Sequence, residues 1–464
     1  MSSLNPQTRP GLYQADAPHP SAPVQGAWTF DVVKVLMICM IIYLPNQALF
    51  GSSLGVKGLN AINILFLSIF FMRRGRVRPP LAPTPLKKAF VFFSLILVWA
   101  FLVGVVRNSP HWAADLTVLK NSIFYMLLYF LFFHAVDDVR TIRVLVLTIA
   151  FVTLTSVVLG FRQALDYGLG SYNETRRVAA PFGWGLADAN RSAIYFCIYL
   201  PLLATIAMFY KSRPALRIAC LAIFLLGVFV DFHTYSRQSY FILAVSVILL
   251  ALRKSLFVAA IVCLALLNYD AWVPETVLQR IEMTTATEGA ETVASIGEEA
   301  KYDESTASRL ILWDAAAVMI SDHPWGIGLN QFKREIGNYV DQRFAGKDAH
   351  NFYVLITAEA GVIAPIAVMI LIVGLLSVGW RALRIGEDED SKTLGIAQLV
   401  CTVSVVLGSM YGSRFLDGDV MGLYWIFSGL VARYWCLQRE PVAQAQSDAA
   451  RRPVVQPVKR QAPW

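Results

Sequence analysis

His350 stands where a polar segment gives way to an apolar run, in DAHNFYVLITAEAGVIAPI. A free imidazole titrates near pH 6.5, so it can take a proton at neutral pH. Arginines close to it would lower its pKa and keep it neutral, which suits a general base. The plainer reading, a histidine resting at a lipid headgroup boundary, has the same spacing. Arg237 lies in DFHTYSRQSYF, a hairpin tip between two apolar runs. An ionisable group at such a depth is costly and usually faces a cavity or a partner. Its alternatives are snorkelling to the headgroups or pairing with Asp231. Arg191 follows Asp188-Ala189-Asn190 at the polar mouth of another apolar run.

The guanidinium fork matches phosphate oxygens two at a time and stays charged at any relevant pH. Arg162, Arg176, Arg177, Arg191, Arg237, Arg280, Arg309 and Arg414 all fall outside the basic loops described below. Together they suggest a lipid-linked phosphate or pyrophosphate, whose developing negative charge they would stabilise in a transfer reaction. Taken singly, Arg176, Arg177 and Arg280 read as structural. Among the other histidines, His323 precedes Pro324 in a turn and reads as a structural hydrogen-bond former, while His233 is near enough to Arg237 in sequence to line the same cavity. The sequence contains no G-x-x-x-x-G-K-[ST] phosphate loop, no H-E-x-x-H metal motif and no G-x-S-x-G elbow. No metal or cofactor is expected. Asp417 and Asp419, in SRFLDGDV, have the chemistry to bind a cation, but a solvated turn accounts for them as well.

The elements that must position these groups are mostly apolar. Of the 464 residues, 56% are hydrophobic and 16% charged, against about 25% charged in soluble domains. A transmembrane helix needs roughly 20 mostly apolar residues. The runs near 31–50, 58–72, 89–106, 121–136, 143–161, 192–210, 217–234, 239–252, 255–269, 351–379, 393–411 and 421–437 predict about twelve spans. They are continuous rather than alternating, which argues against a barrel. The expected fold is therefore an all-α polytopic integral membrane protein with one large extramembrane loop containing short helices. The net charge of +8 is concentrated in loops. Arg73, Arg74, Arg76 and Arg78, then Arg140 and Arg143, Lys211 and Arg213, and Arg253 and Lys254 fall on one side if both termini are cytoplasmic. Such a distribution suits lipid headgroups rather than nucleic acid.

Five segments follow. Residues 1–30 are polar and Pro-rich and read as a disordered cytoplasmic tail; 31–269 hold spans one to nine; 270–350 form the large loop; 351–437 hold spans ten to twelve; 438–464 form a second tail. Within the loop, Leu310, Trp313, Ala317 and Ile320 recur at helical spacing, predicting an amphipathic helix that Ser308 would cap. Asp322-His323-Pro324 would end it. Gly326 and Gly328 would permit a tight turn or a close backbone approach, with a further short helix over 332–343. The six cysteines sit in or beside apolar runs without a C-x-x-C pair, so neither disulfides nor zinc are expected.

Arg309-Leu-Ile-Leu-Trp, then Asp322-His-Pro-Trp-Gly-Ile-Gly, then His350-Asn351 with Gly361 downstream, resembles the signature region of the O-antigen ligase and polymerase superfamily. Tyr235-Ser236-Arg237 and Asp188-Ala-Asn190-Arg191 resemble that superfamily's patterns too. For a ligase, the resemblance implies a multi-pass protein of the bacterial inner membrane with its active site and large loop facing the periplasm. It implies transfer of a glycan from undecaprenyl pyrophosphate to a lipid A–core acceptor, without a metal and with inversion at the anomeric carbon. His350 would activate the acceptor hydroxyl, Arg191 and Arg237 would hold the pyrophosphate, and Arg309 would support the same charge or the fold of the loop. The same resemblance admits a polymerase, whose acceptor is a second lipid-linked glycan, and a protein O-oligosaccharyltransferase. Outside it stands a transporter that passes an anionic or lipid-linked substrate along arginines.

Overall fold

The computed structural model describes residues 31–50, 60–74, 84–169, 173–183, 186–282, 291–295, 298–302, 304–386 and 388–451. The expected disordered tail of the first 30 residues and the last 13 residues lie outside them. The helices run in order α1 (Val32–Tyr43), α2 (Gln47–Phe50), α3 (Ala61–Arg74), α4 (Lys87–Val106), α5 (Trp112–Ala135), α6 (Val139–Tyr167), α7 (Leu186–Phe209), α8 (Pro214–Phe232), α9 (Arg237–Lys254), α10 (Leu256–Leu267) and α11 (Glu275–Glu282). A two-stranded antiparallel ribbon, β1 (Glu291–Ser295) and β2 (Glu298–Tyr302), precedes α12 (Glu304–Asp322) and α13 (Phe332–Glu335). The chain closes with α14 (Phe352–Ala360), α15 (Ala364–Ile385), α16 (Glu389–Met410) and α17 (Gly418–Arg451).

Among the described residues, eight helices are long and apolar enough to cross a membrane: α4, α5, α6, α7, α8, α15, α16 and α17. Helices α1, α3 and α10 are apolar but shorter, and α9 carries charge at both ends. The protein is thus multi-pass, built from helices that satisfy their own backbone groups, as a bilayer demands. Helices α17 and α7 form the core: 94% and 89% of their spanning windows are buried, against 22% for α8. Around them, α16 packs on α15 and α7, and α5 packs on α17. Side chains such as Leu95, Ile218, Phe257 and Val373 point outward, an apolar belt suited to lipid.

Four local readings need correction. The run 351–379 is two helices, because Gly361 adopts φ +89, where an added Cβ would lie 2.7 Å from the Pro324 carbonyl oxygen; Pro365 then falls in the first turn of α15. Ser308 is inside α12, which begins at Glu304, so it is not the cap. The expected helix over 332–343 is one turn, α13, followed by two 3-10 turns at Ile336–Asn338 and Gln342–Phe344, and glycine at position 337 interrupts the run. At the far end, α17 continues to Arg451, into what reads from sequence as a tail.

Candidate functional site

Helices α7, α14 and α17 begin, and α16 ends, at one face of the bundle. Arg191, in the first turns of α7, meets the loop joining α16 to α17. Its Nε donates to Asp417 Oδ2 at 3.0 Å, Nη2 donates to Asp419 Oδ2 at 2.7 Å and to Asp417 Oδ1 at 3.1 Å, and Nη1 donates to Asp188 Oδ1 at 3.2 Å. The Phe182 ring lies 4.8 Å from its guanidinium carbon. The cation that Asp417 and Asp419 bind is this guanidinium. Arg414 shares the cluster, its Nη1 3.4 Å from Asp417 Oδ2.

The same loop reaches the histidine. Ser413 Oγ donates to Asp348 Oδ1 at 2.6 Å, and that oxygen also accepts the backbone N–H of His350 at 2.9 Å. Lys333, from α13, places Nζ 3.1 Å from Asp348 Oδ2. Trp313 of α12 donates its indole N–H to the Ala349 carbonyl at 2.8 Å, and the Asn351 side chain caps α14 by accepting from the backbone of Tyr353 and Val354. Between these anchors His350 adopts φ +49. Non-glycine residues seldom occupy that region, and such strain gathers at functional sites. The residue as a whole is solvent-accessible, the loops around it screen part of the ring from water, and the ring makes no hydrogen bond to the protein among the described residues.

Charge around the ring follows from these neighbours. Loss of hydration among the packed loops pushes the His350 pKa down. Asp348 opposes that, and Arg309, Arg414 and Lys333 reinforce it, so the net shift is below the ordinary value. For Asp348, burial alone would raise the pKa. The bonds from Ser413 and the His350 N–H, with the Lys333 charge, overcome it and hold the carboxylate ionised. The arrangement keeps a neutral imidazole among fixed cations.

Arg237 opens α9, directly after a turn in which Tyr235 takes φ +51 and is buried. That turn is bound from two sides. Buried Arg177 donates Nε to the Thr234 carbonyl at 2.7 Å and Nη2 to Asn190 Oδ1 at 2.8 Å, and the Val178 N–H donates to the His233 carbonyl at 2.9 Å. Arg177 therefore ties the turn before Arg237 to the residue before Arg191. His233 is occupied structurally through Nδ1 and the Phe229 carbonyl.

The Pro324–Leu329 segment has a different task. Ile327 and Gly328 donate backbone N–H groups to the Ala358 and Glu359 carbonyls of α14, Leu329 donates to the Ala100 carbonyl of α4, and the Trp99 indole donates to the Trp325 carbonyl. Gly326 and Gly328, at φ +95 and +114, permit this contact. A Cβ on Gly328 would stand 2.6 Å from Gly104 Cα, and one on Gly326 would strike the Glu359 carbonyl oxygen. The tight turn and close approach expected of these glycines are both present.

Residues 221–369 match the family described as O-Antigen ligase. The match covers about a third of the chain. No curated protein matches the sequence. The match runs from α8 into α15 and so takes in the Arg237 turn, α12, the Pro324–Leu329 segment that docks on α14 and α4 (the docking segment) and His350; α7 with Arg191 and the Asp417 loop lie outside it. The family points to a glycosyl-transferring enzyme of the O-antigen ligase or polymerase kind, with lipid-linked glycans and membrane lipids as its chemical setting.

Around the matched residues, contacts link the segments that carry the sequence-predicted residues: Thr234 to Arg177, Arg177 to Asn190, Arg191 to Asp417, Asp417 to Arg414, and Ser413 to Asp348 beside His350. Arg309, on α12, acts on the His350 ring through its charge. Arg177 and Arg280 are structural, as expected: Arg177 as above, and Arg280 paired with Glu174 at 3.6 Å. Sequence reasoning missed Asp348, Ser413 and Lys333. Only Asp348 carried a signal, lying two residues before His350, the Asx-turn spacing that lets its carboxylate accept the His350 N–H.

Proposed function

We propose that this protein is an O-antigen ligase that moves a glycan from undecaprenyl pyrophosphate to a hydroxyl of a lipid A–core acceptor. His350 Nε2 or Nδ1 takes the acceptor hydroxyl proton as the oxygen attacks the anomeric carbon. The bond from that carbon to the pyrophosphate oxygen breaks with inversion, and undecaprenyl pyrophosphate leaves with its electron pair. Arg237 and Arg309 meet the charge that develops on the leaving group. Arg191 acts on the same centre, either on a phosphate directly or through the loop that carries Arg414 and Ser413. The observation that carries this reading is His350 itself: it is held in a left-handed backbone conformation, its ring makes no protein hydrogen bond among the described residues, and the charges of Arg309, Arg414 and Lys333 act on it.

The reading further places about twelve helices in the bacterial inner membrane, the eight long ones joined by α1, α3, α9 and α10. The His350 face opens to the periplasm, and the 270–350 segment forms its loop. The basic short loops at Arg73 and Arg74, Arg140 and Arg143, Lys211 and Arg213, and Arg253 and Lys254 lie at the opposite helix ends, which supports that orientation.

The test is reconstitution of the full chain with a lipid-pyrophosphate-linked glycan and lipid A–core in the presence of EDTA. Lipopolysaccharide of lower mobility that is lost with His350→Ala, while the variant still binds donor, supports the ligase and its base. Longer lipid-linked glycans without modified lipid A–core would assign the chain to the polymerase kind. Substrate movement across the bilayer that survives His350→Ala would mark a transporter.

A further inference from the structure

The face opposite His350 holds a second polar feature that glycan transfer does not use. A cavity of about 330 Å³ lies where α6 begins, α7 ends and α16 begins. Helices α7 and α16 each run from this cavity to the Arg191–Asp417 cluster. At 1.5 Å per residue the 22 residues of α16 put the two ends roughly 30 Å apart, so a pyrophosphate held near His350 cannot also fill this space.

Its lining is divided by chemistry. Arg140, Arg143 and Arg213 stand on one side with Asp390, the one acid among the lining residues. Arg143 Nε bonds Asp390, and Arg140 and Arg213 bring two further guanidinium groups to the same space. The Arg213 side chain has no acidic partner among the described residues. Thr393, 4% exposed, also lines the space, and its Oγ1 finds no hydrogen-bond partner among the described residues. A buried hydroxyl left unpaired is uncommon unless something else binds it. The other wall is aliphatic, with Val146, Leu147, Ile206 and Leu216, and Leu147 continues it onto the outer surface at 37% exposure.

We propose that this cavity binds an anionic glycerophospholipid, its phosphodiester on Arg140, Arg143 and Arg213 and one acyl chain along the aliphatic wall. Guanidinium groups pair with phosphate oxygens two at a time. Basic pockets between membrane helices are a recognised way of holding anionic headgroups. The space accommodates a headgroup but not a whole lipid, and the acyl chain leaves over Leu147 into the apolar belt. A soluble phosphate would gain nothing from that wall.

The experiment is native mass spectrometry of the full chain in detergent, with phosphatidylglycerol or phosphatidylcholine added and inorganic phosphate as competitor. The wild type should retain phosphatidylglycerol in preference. Each arginine near an anionic lipid is worth about fivefold in affinity, so Arg140→Gln with Arg213→Gln should weaken retention roughly 25-fold, with an unchanged thermal midpoint in phosphatidylcholine nanodiscs as the folding control. Leu147→Trp keeps every charge and should also reduce retention by blocking the exit of the acyl chain. Equal retention of the two lipids, or an unaffected double variant, overturns the proposal. Displacement of phosphatidylglycerol by inorganic phosphate, with Leu147→Trp silent, would make this a free-anion site and overturn the lipid assignment.

Discussion

Ser413 Oγ lies 2.6 Å from Asp348 Oδ1, the oxygen that also accepts the His350 backbone N–H. A residue between α16 and α17 thereby fixes the loop that presents the histidine, although Ser413 and Asp348 are 65 positions apart in the chain. A hydrogen bond to a charged group contributes about 1.5–3 kcal/mol. Ser413→Ala should lower kcat of glycan transfer roughly tenfold or more with little change in donor KM, because Asp348 keeps Lys333 while the loop loses its second anchor. Ser413→Thr should recover most of the rate. A purely structural role would instead lower the thermal midpoint and leave the kcat of the folded fraction intact.

The pH profile separates the charges around His350. A general base works in its neutral form, so the rate should fall as pH drops through the pKa of His350, which sits below the ordinary histidine value. Arg309 pushes that pKa down and Asp348 pulls it up. Arg309→Gln should therefore move the acid limb of kcat to higher pH, and Asp348→Asn should move it to lower pH. If both variants leave the limb in place, His350 is not the titrating group.

The glycines of this region differ in what surrounds them. Gly326 at φ +95 faces the Glu359 carbonyl, whereas Gly346 at φ +77 has open space, with nothing within 4 Å of where an added Cβ would lie. Gly346→Ala should cost only the backbone term, about 1 kcal/mol, and leave a folded protein. Gly326→Ala adds a backbone collision that no rotamer relieves and should lower the midpoint by considerably more, or prevent recovery of folded chain. Similar midpoints for the two would mean that the contact between the docking segment and α14 is not part of the stable fold.

Much of this was legible in the sequence because helix length and apolarity are local properties. The long spans, the break at Pro324 and the turn marked by Gly326 and Gly328 follow from residues within one turn of each other, whereas the Glu359 and Gly104 backbones that leave no room for a side chain at those glycines come from other segments. The break at Gly361 was not legible, since its cause is the Pro324 carbonyl packed against it from another segment. The site was legible in its residue types but not in its pairing. His350 and Arg237 stood out by charge at apolar boundaries. Nothing local revealed that Asp417 and Asp419, read as a solvated turn, meet Arg191 some 226 residues away, or that Ser413 reaches Asp348.

Arg191 is where that pairing bears most on function. Its side chain is 20% exposed and its guanidinium already faces Asp188, Asp417 and Asp419. Removing one partner of a buried ion pair costs about 3–5 kcal/mol, and less where water still reaches it, so Arg191→Ala should destabilise the fold by about 2–3 kcal/mol as three carboxylates are left facing one another. If the arginine acts through the loop alone, Arg191→Gln combined with Asp417→Asn should restore much of the lost stability and keep donor KM near the wild-type value. If it also grips phosphate, the double variant should regain stability yet keep a donor KM raised by tenfold or more. A thermal melt and a donor titration on the same samples decide between the two, and Arg237→Lys provides the calibration. At that position, retention of charge without the guanidinium fork should leave donor binding only partly restored relative to Arg237→Ala.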